Sequence, residues 1–188
     1  MALLAIRGTP AEAGIDVVSC AERRDRDREA VFSNGWAEFV KVYEDVFAPG
    51  EVCFLAGLEG RGMSVDVRLR YFYALWCLRE AYVKMTGEAL LADWLKALEF
   101  RDFRPPDPAA GAEGDEELVP GEVVCDIEVW RDGKRQEDVR MELRAFGRGY
   151  MVGVAVSTAR AADAFELELG RFEVVGLEEI RRGAEESP

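Results

Sequence analysis

The spacing of apolar residues predicts three helical segments in the first half of the chain. The longest pattern runs from Val65 to Thr86, where apolar side chains recur every three or four residues. Ser64 is a suitable N-cap for this helix, Lys84 suits its last turn, and Gly87 suits its end. Shorter patterns predict an amphipathic helix over 36–47, ended by the Pro-Gly pair at 49–50, and a helical turn over 51–58.

Apolar runs rich in β-branched residues predict the strands. They cover the ranges 1–6, 13–20, 122–131, 137–146 and 150–157, with a short candidate at 172–175. The dipeptide Asp132-Gly133 predicts a hairpin turn between the runs 122–131 and 137–146. The resulting prediction is an α+β fold in which an antiparallel sheet packs on one long helix. We expect a single domain over 1–160, followed by a C-terminal tail over 161–188.

Three other segments are assigned from their composition. The mixed-sign charges of 21–29 predict a solvated loop or the start of a helix. The segment 89–100 begins with helical propensity, and its second half fits a strand equally well. Prolines and a run of acidic residues predict a loop over 104–120.

Composition limits the chemistry that the protein can perform. The chain has 188 residues, 49% of them apolar, which is enough for one sizeable core. Its 24 Lys and Arg against 37 Asp and Glu give a net charge of -13, so we expect no binding to nucleic acid or to an anionic membrane. The absence of histidine excludes histidine general bases, histidine-dependent nucleophiles and histidine-ligated metals. Carboxylates, lysine, tyrosine, cysteine or an oxygen-ligated metal must carry any reaction.

The sequence also indicates a cytoplasmic protein. Its longest apolar stretch, Tyr71 to Leu78, is too short to cross a bilayer, and the first residues lack the pattern of a signal peptide. The cysteines at 20, 53, 77 and 125 are scattered without a paired motif, so we expect them to be reduced and mostly buried thiols.

Two patterns contain residues that could carry chemistry. Asp16 interrupts the apolar run 14–18, and a buried carboxylate needs a helix N-terminus, an arginine or a cation as its partner. Trp76, Glu80 and Lys84 are four residues apart and therefore share one face of the predicted long helix. Taken separately, each pattern is explained by structure alone, as a paired core carboxylate and an ordinary surface Glu–Lys pair.

Taken together, the two patterns resemble a known paired motif. The sequence GIDVV at 14–18 and the sequence WCLREAYVK at 76–84 are similar to the G-[IV]-D and W-x-x-[KR]-E-[AS]-x-x-K motifs of the 4'-phosphopantetheinyl transferases. The flanking sequences YFYALW at 71–76 and TGEAL at 86–90 extend the similarity. Arg79 in the place of the motif's lysine is typical of the Sfp-type, fungal branch. The resemblance covers 1–103 well and the C-terminal strands only by position.

This resemblance implies an activity and a role for each motif residue. The family transfers the phosphopantetheine arm of coenzyme A to a serine of an acyl or peptidyl carrier protein and releases 3',5'-ADP. Asp16 and Glu80 would bind Mg²⁺, which would also give Asp16 its counter-ion. Glu80 would accept the serine proton, directly or through water, and Lys84 would contact the phosphates of coenzyme A. Trp76 is interpreted as a packing residue that fixes the helix.

Two departures from the family pattern leave alternatives open. Val18 stands where some Sfp-type enzymes have a second acidic residue. Sfp-type enzymes also have two similar halves, the first of which carries basic residues for coenzyme A and a Ser-His motif. This chain resembles the second half alone, so one hypothesis is an enzyme completed by self-association or by a separate first half. The alternatives are a non-catalytic remnant or carrier-binding module and, third, a structural acidic module.

The net charge raises a further question about the carrier protein. Such carriers usually present acidic surfaces, which a chain with a charge of -13 would repel unless the contact is local and apolar. Phe32, Trp36 and Phe47 are candidates for an apolar contact, although core packing is the favoured interpretation for most of them.

Overall fold

A computed structural model describes residues 11–88, 92, 94–108, 119–158, 178–179 and 181–182 of the chain. The predicted strands at 1–6 and 172–175 lie outside these residues, as does nearly all of the predicted tail at 161–188. The division into a domain and a tail therefore stays a prediction.

The described residues form helices and antiparallel strands, which confirms the predicted α+β class. The helices are α1 (Arg24–Asn34), α2 (Trp36–Lys41), α3 (Pro49–Gly57) and α4 (Val65–Thr86). The strands are β1 (Ala11–Ser19), β2 (Leu98–Arg101), β3 (Pro120–Val124), β4 (Glu128–Arg131), β5 (Lys134–Arg135), β6 (Val139–Phe146) and β7 (Tyr150–Thr158). One sheet has the order β1-β7-β6-β3 and the other has the order β2-β4-β5.

The long helix α4 packs directly on strands β1 and β7 of the four-stranded sheet. Two glycines permit this close approach. A Cβ atom added at Gly14 would lie 2.0 Å from the carbonyl oxygen of Ala81, and one at Gly153 would lie 2.8 Å from that of Cys77. Only glycine fits at these crossings, since any side chain would push the helix away from the sheet. The glycine of the first motif therefore sets the distance between β1 and α4.

The structure corrects the predicted strand over 122–131. This segment forms two strands, because β3 pairs with β6 in the four-stranded sheet and β4 pairs with β2 and β5 in the other sheet. The turn at Asp132-Gly133 is present, and both residues have the positive φ angles that such a turn requires. It connects β4 to the two-residue β5, and not to the run 137–146 as predicted. Turn chemistry is local, whereas the choice of sheet depends on distant partners.

The helical predictions are confirmed in part. Helix α4 begins after Ser64, whose hydroxyl accepts a hydrogen bond from the Val67 amide at 3.3 Å, and it ends at Gly87 in the left-handed conformation. The helix predicted over 36–47 is shorter, because α2 ends at Lys41 and turns follow.

The charged segment 21–29 contains the start of α1, which is one of the two predicted possibilities. The segment that follows the turns after α2 is more helical than predicted. The turn predicted over 51–58 is part of the nine-residue helix α3, which Pro49 begins. Proline is well suited to a first helical position because its missing N–H has no partner there.

Within the described part of the chain, no helix is both long and apolar enough to cross a membrane. Cys20 and Cys77 are buried, as expected, whereas Cys53 and Cys125 are exposed, and none of the four forms a disulfide within the described residues.

Candidate active site

Strand β1 and helix α4 bring the residues of the two motifs together. Asp16 lies two positions after Gly14 and so shares the strand face that packs against α4. Lys84, at the end of α4, donates a hydrogen bond from Nζ to Oδ1 of Asp16 at 2.6 Å. The Asp16 side chain is 12% exposed and that of Lys84 is 49% exposed. The cation that the isolated carboxylate of β1 requires is therefore supplied by a lysine of the second motif.

Glu80 lies one helical turn before Lys84 and is partly buried. Burial raises the pKa of its carboxyl group, nearby Asp16 raises the pKa further, and Lys84 acts in the opposite direction. Among the residues that the structure describes, Glu80 has no hydrogen bond or salt bridge. The site thus contains two neighbouring carboxylates, of which only Asp16 has a direct protein partner.

Asp16 and Glu80 both line a cavity of about 320 Å³. Aromatic side chains of the α2–α3 connection and of α4 form one wall, and residues of β1 and of the segment after it complete the lining. The lining residues are Asp16, Val17, Val18, Ser19, Glu22, Arg23, Tyr43, Phe72, Tyr73, Trp76 and Glu80. The cavity therefore combines an acidic end with an apolar surface.

Trp76 contributes to packing and to the cavity at once. Its ring stacks on Phe72 at 6.4 Å and meets Tyr43 edge-on at 5.9 Å, measured between ring centroids. It is partly exposed and lies on the cavity surface beside Glu80. Trp76 therefore packs as predicted and, in addition, forms part of the cavity surface.

The residues present fit a magnesium ion that is shared with a substrate. Mg²⁺ is commonly held by one or two carboxylates together with waters and phosphate oxygens. Asp16 and Glu80 supply such a pair, and the carboxylate of Glu80 is available to a cation. Neither at this site nor elsewhere in the described residues do three acidic or cysteine side chains lie close enough together to hold a metal by themselves. A metal at this position would need oxygen atoms from outside the chain.

Comparison with known proteins identifies the family. The family model of the 4'-phosphopantetheinyl transferase superfamily matches residues 12–141, which include β1 and α4. The chain belongs to this superfamily. A 4'-phosphopantetheinyl transferase 1 of Fusarium mangiferae is 43% identical over 185 residues, covering 94% of this chain and 56% of that protein. A 4'-phosphopantetheinyl transferase A of Aspergillus fumigatus is 41% identical over 157 residues, covering 79% and 44%.

These similarities confirm the resemblance to fungal members of the family. The 4'-phosphopantetheinyl transferase NpgA of Emericella nidulans is a further relative, 35% identical over 151 residues, which cover 77% of this chain and 44% of that protein. The chain spans about half the length of the curated relatives that it matches.

Sequence reasoning missed a buried hydrogen bond at the edge of the cavity. The Tyr73 hydroxyl donates to Oδ2 of Asp27 at 2.8 Å, and Asp27 is buried. Burial raises the pKa of Tyr73, and the bond to Asp27 raises it further. The segment 21–29 reads as uniformly charged, but Asp27 precedes the buried Val31 by four residues and thus lies on the buried face of α1. The spacing of four residues between Asp27 and Val31 could have indicated that Asp27 is buried.

Sequence reasoning also missed the partner of Arg79. This residue directly precedes Glu80 and stands in the place of the motif's lysine. Arg79 is fully buried and forms a salt bridge with Glu51 of α3. No local pattern connects these residues, which lie 28 positions apart.

The structure separates the three candidates for an apolar carrier contact. Trp36 and Phe47 are fully buried in the core, as favoured above, and Phe32 is 70% exposed. Only Phe32 of the three is available to a partner.

Proposed function

We propose that this chain carries the metal- and phosphate-binding part of an active site that transfers 4'-phosphopantetheine from coenzyme A to a serine of an acyl or peptidyl carrier protein. Membership of the superfamily makes this class of reaction the expected one. The observation that carries the proposal is that Asp16 and Glu80, from two segments more than sixty residues apart, line one cavity, and that Lys84 is hydrogen-bonded to Asp16.

Asp16 and Glu80 would hold Mg²⁺ together with the pyrophosphate oxygens of coenzyme A. When bound, the ion would polarise the phosphoryl oxygens and neutralise charge that develops during the transfer. Lys84 would then leave Asp16 and place its ammonium group against a phosphate oxygen. Its half-exposed side chain makes this change of partner inexpensive.

Glu80 is the proposed acceptor of the serine proton, directly or through one water. The serine oxygen forms a bond to the phosphorus next to the pantetheine arm, and the bond from this phosphorus to the leaving 3',5'-ADP oxygen breaks. The proton of the serine hydroxyl passes to the Glu80 carboxylate. Burial and the charge of Asp16 raise the proton affinity of Glu80 in the direction that this role requires.

The charge beside the cavity differs from that of the whole chain. Helix α1 begins at the cavity rim, and the four arginines at 23, 24, 26 and 28 have side chains between 40% and 70% exposed. The segment 21–29 also holds four acidic residues, and each of the four arginines pairs with an acidic side chain, so this side has mixed charge and is not basic. We propose that an acidic carrier protein approaches here, where the repulsion expected from the net charge of -13 is weaker.

The relatives are about twice as long as this chain, so a second polypeptide half is part of the proposal. It would supply the basic contacts to coenzyme A, either as a separate first half or through self-association. The competing hypothesis is a chain that binds a carrier protein or Mg²⁺ without catalysis.

One experiment separates these hypotheses. The chain is incubated with Mg²⁺, coenzyme A and an apo carrier protein, alone and with the first half of a fungal relative added, and the carrier is analysed by mass spectrometry. We expect a phosphopantetheine adduct when the site is complete, and light scattering shows whether the active species is a monomer or an oligomer. A folded chain that gives no adduct in either mixture would reject the catalytic function.

A further inference from the structure

We propose that Arg79 and Glu51 form a positioning pair, which holds the aromatic wall of the cavity in place without contacting the cavity itself. Neither residue lines the cavity. Because the role concerns the cavity to which we assign the transfer reaction, it rests on the proposed function.

Arg79 connects helix α4 to three other parts of the fold. Its guanidinium donates to the carboxylate of Glu51, to the carbonyl oxygen of Leu95 at 2.8 Å and to that of Leu98 at 3.0 Å. The side chain is completely buried. Its planar group has donors for several acceptors at once, which is the geometry that a buried connection of this kind requires.

Glu51 completes the connection from the other side. Its Oε2 atom accepts from the Ala48 amide at 2.8 Å as well as from Arg79, and its Oε1 atom accepts from the Phe100 amide at 2.8 Å. The two side chains thus fix the first turn of α3, the start of β2 and the middle of α4 relative to one another.

The aromatic wall is attached to this connection through Phe47. The guanidinium of Arg79 lies over the Phe47 ring at 5.4 Å, and the amide of the following residue, Ala48, is bound by Glu51. Phe47 in turn packs against Tyr43 at 6.0 Å and against Trp76 at 6.2 Å, measured between ring centroids. Tyr43 and Trp76 line the cavity. The turns at 42–48 therefore depend on the buried pair for their position.

Stability alone does not explain this arrangement. Removing both charges from water is costly, and burial raises the pKa of Glu51 and lowers that of Arg79. The Nε atom of Arg79 is also buried without a partner among the described residues. Apolar side chains of similar size would fill the same space without the cost of removing charges from water. What the pair provides, and apolar residues do not, is a fixed set of directional bonds to four backbone groups.

The test compares variants by hydrogen-exchange mass spectrometry of peptides that cover 42–48. Arg79→Met and the milder Glu51→Gln are measured beside Met141→Ala, a buried substitution on β6 away from the wall. The variants are compared at conditions where each has lost the same amount of melting temperature. We expect the amide exchange rate in 42–48 to increase about tenfold more in Arg79→Met and in Glu51→Gln than in Met141→Ala. Arg79→Lys, which keeps the charge but not the planar set of donors, should restore only part of the protection.

Two further readouts separate the wall from the metal site. Mg²⁺ affinity of the chain, measured by calorimetry, should change less than about twofold in Arg79→Met, since Asp16 and Glu80 are held by β1 and α4. In the complete enzyme, Glu51→Gln should raise KM more than it lowers kcat. Equal exchange at 42–48 in all three destabilised variants would overturn the positioning role. Failure of the adduct assay alone would reject only the transfer function, because hydrogen exchange does not depend on activity.

Discussion

Two of the ion pairs on helix α4 have different surroundings. Arg79 and Glu51 are 0% and 1% exposed, whereas Lys84 and Asp16 are 49% and 12% exposed. A buried pair must keep its partner, because a single charge left in the core would be very unfavourable. A half-exposed lysine can exchange its partner for a phosphate at little cost when a metal takes its place at the carboxylate. The same helix therefore holds a fixed connection on one face and an exchangeable one at the proposed site.

The largest effect is expected where the exchangeable pair takes part in the reaction. Asp16→Asn and Glu80→Gln should each lower the rate of adduct formation about 10³-fold, because each removes a carboxylate charge from the proposed metal site. The rate is measured by mass spectrometry of the carrier, with circular dichroism as the control for folding. Retained activity in either variant would reject that residue's assignment.

The next effect concerns the stability of the buried pair. Arg79→Met should lower the free energy of unfolding by about 3–5 kcal/mol, since it leaves Glu51 as an unpaired buried carboxylate. Lys84→Met should lower it by less, since the Asp16 carboxylate left behind is still 12% exposed and in contact with water. Urea denaturation of both variants gives the comparison. Equal losses would show that burial does not distinguish the two pairs.

A smaller effect is expected on metal binding. Lys84→Met should tighten Mg²⁺ binding about fivefold, because it removes a positive charge that both occupies Asp16 and repels the ion. Isothermal titration calorimetry measures the affinity, and Lys96→Met serves as a matched control on an exposed lysine that pairs with Asp45, neither of which lines the cavity. Weaker binding in Lys84→Met would mean that Lys84 organises the metal site and does not compete with it.

The smallest effect concerns a third pair, at the surface. Hydrogen bonds from Arg104 and from the Asp107 amide lower the pKa of Glu122 to about 2 from its usual 4.5. A lowered pKa in the folded state stabilises the fold above pH 4.5, and this contribution is lost as the pH falls from 4.5 toward 2. The melting temperatures of the native chain and of Glu122→Gln should differ slightly at pH 6 and converge near pH 2. A difference that grows on acidification would contradict this assignment.

Features of the fold that depend on residues close together in the sequence were predictable, and features that depend on distant residues were not. The bounds of α4 were predicted correctly because Ser64, Gly87 and the apolar period all act within one or two helical turns. The split of 122–131 into β3 and β4 was not predicted, because it depends on pairing with β6 and β2. The Asp132-Gly133 turn was recognised but connected to the wrong strand for the same reason.

The site shows the same division. The two motifs gave Asp16, Glu80 and Lys84, and the structure places Asp16 and Glu80 at one cavity and pairs Lys84 with Asp16. Tyr73–Asp27 was not found, since its partners lie 46 positions apart in segments with no shared pattern. Arg79 was noticed only as a variant of the motif, and nothing in the sequence indicated that its charge is buried.

The sequence by itself determined the long helix, the strand that bears Asp16, the glycine between them and the exclusion of histidine chemistry. These depend on residue type and short-range spacing, which the chain carries locally. Only the tertiary structure decided which charges are buried, which carboxylate has a partner and which strands share a sheet. Those outcomes depend on removing specific groups from water against distant neighbours, and the free energy of that step is set by the assembled fold.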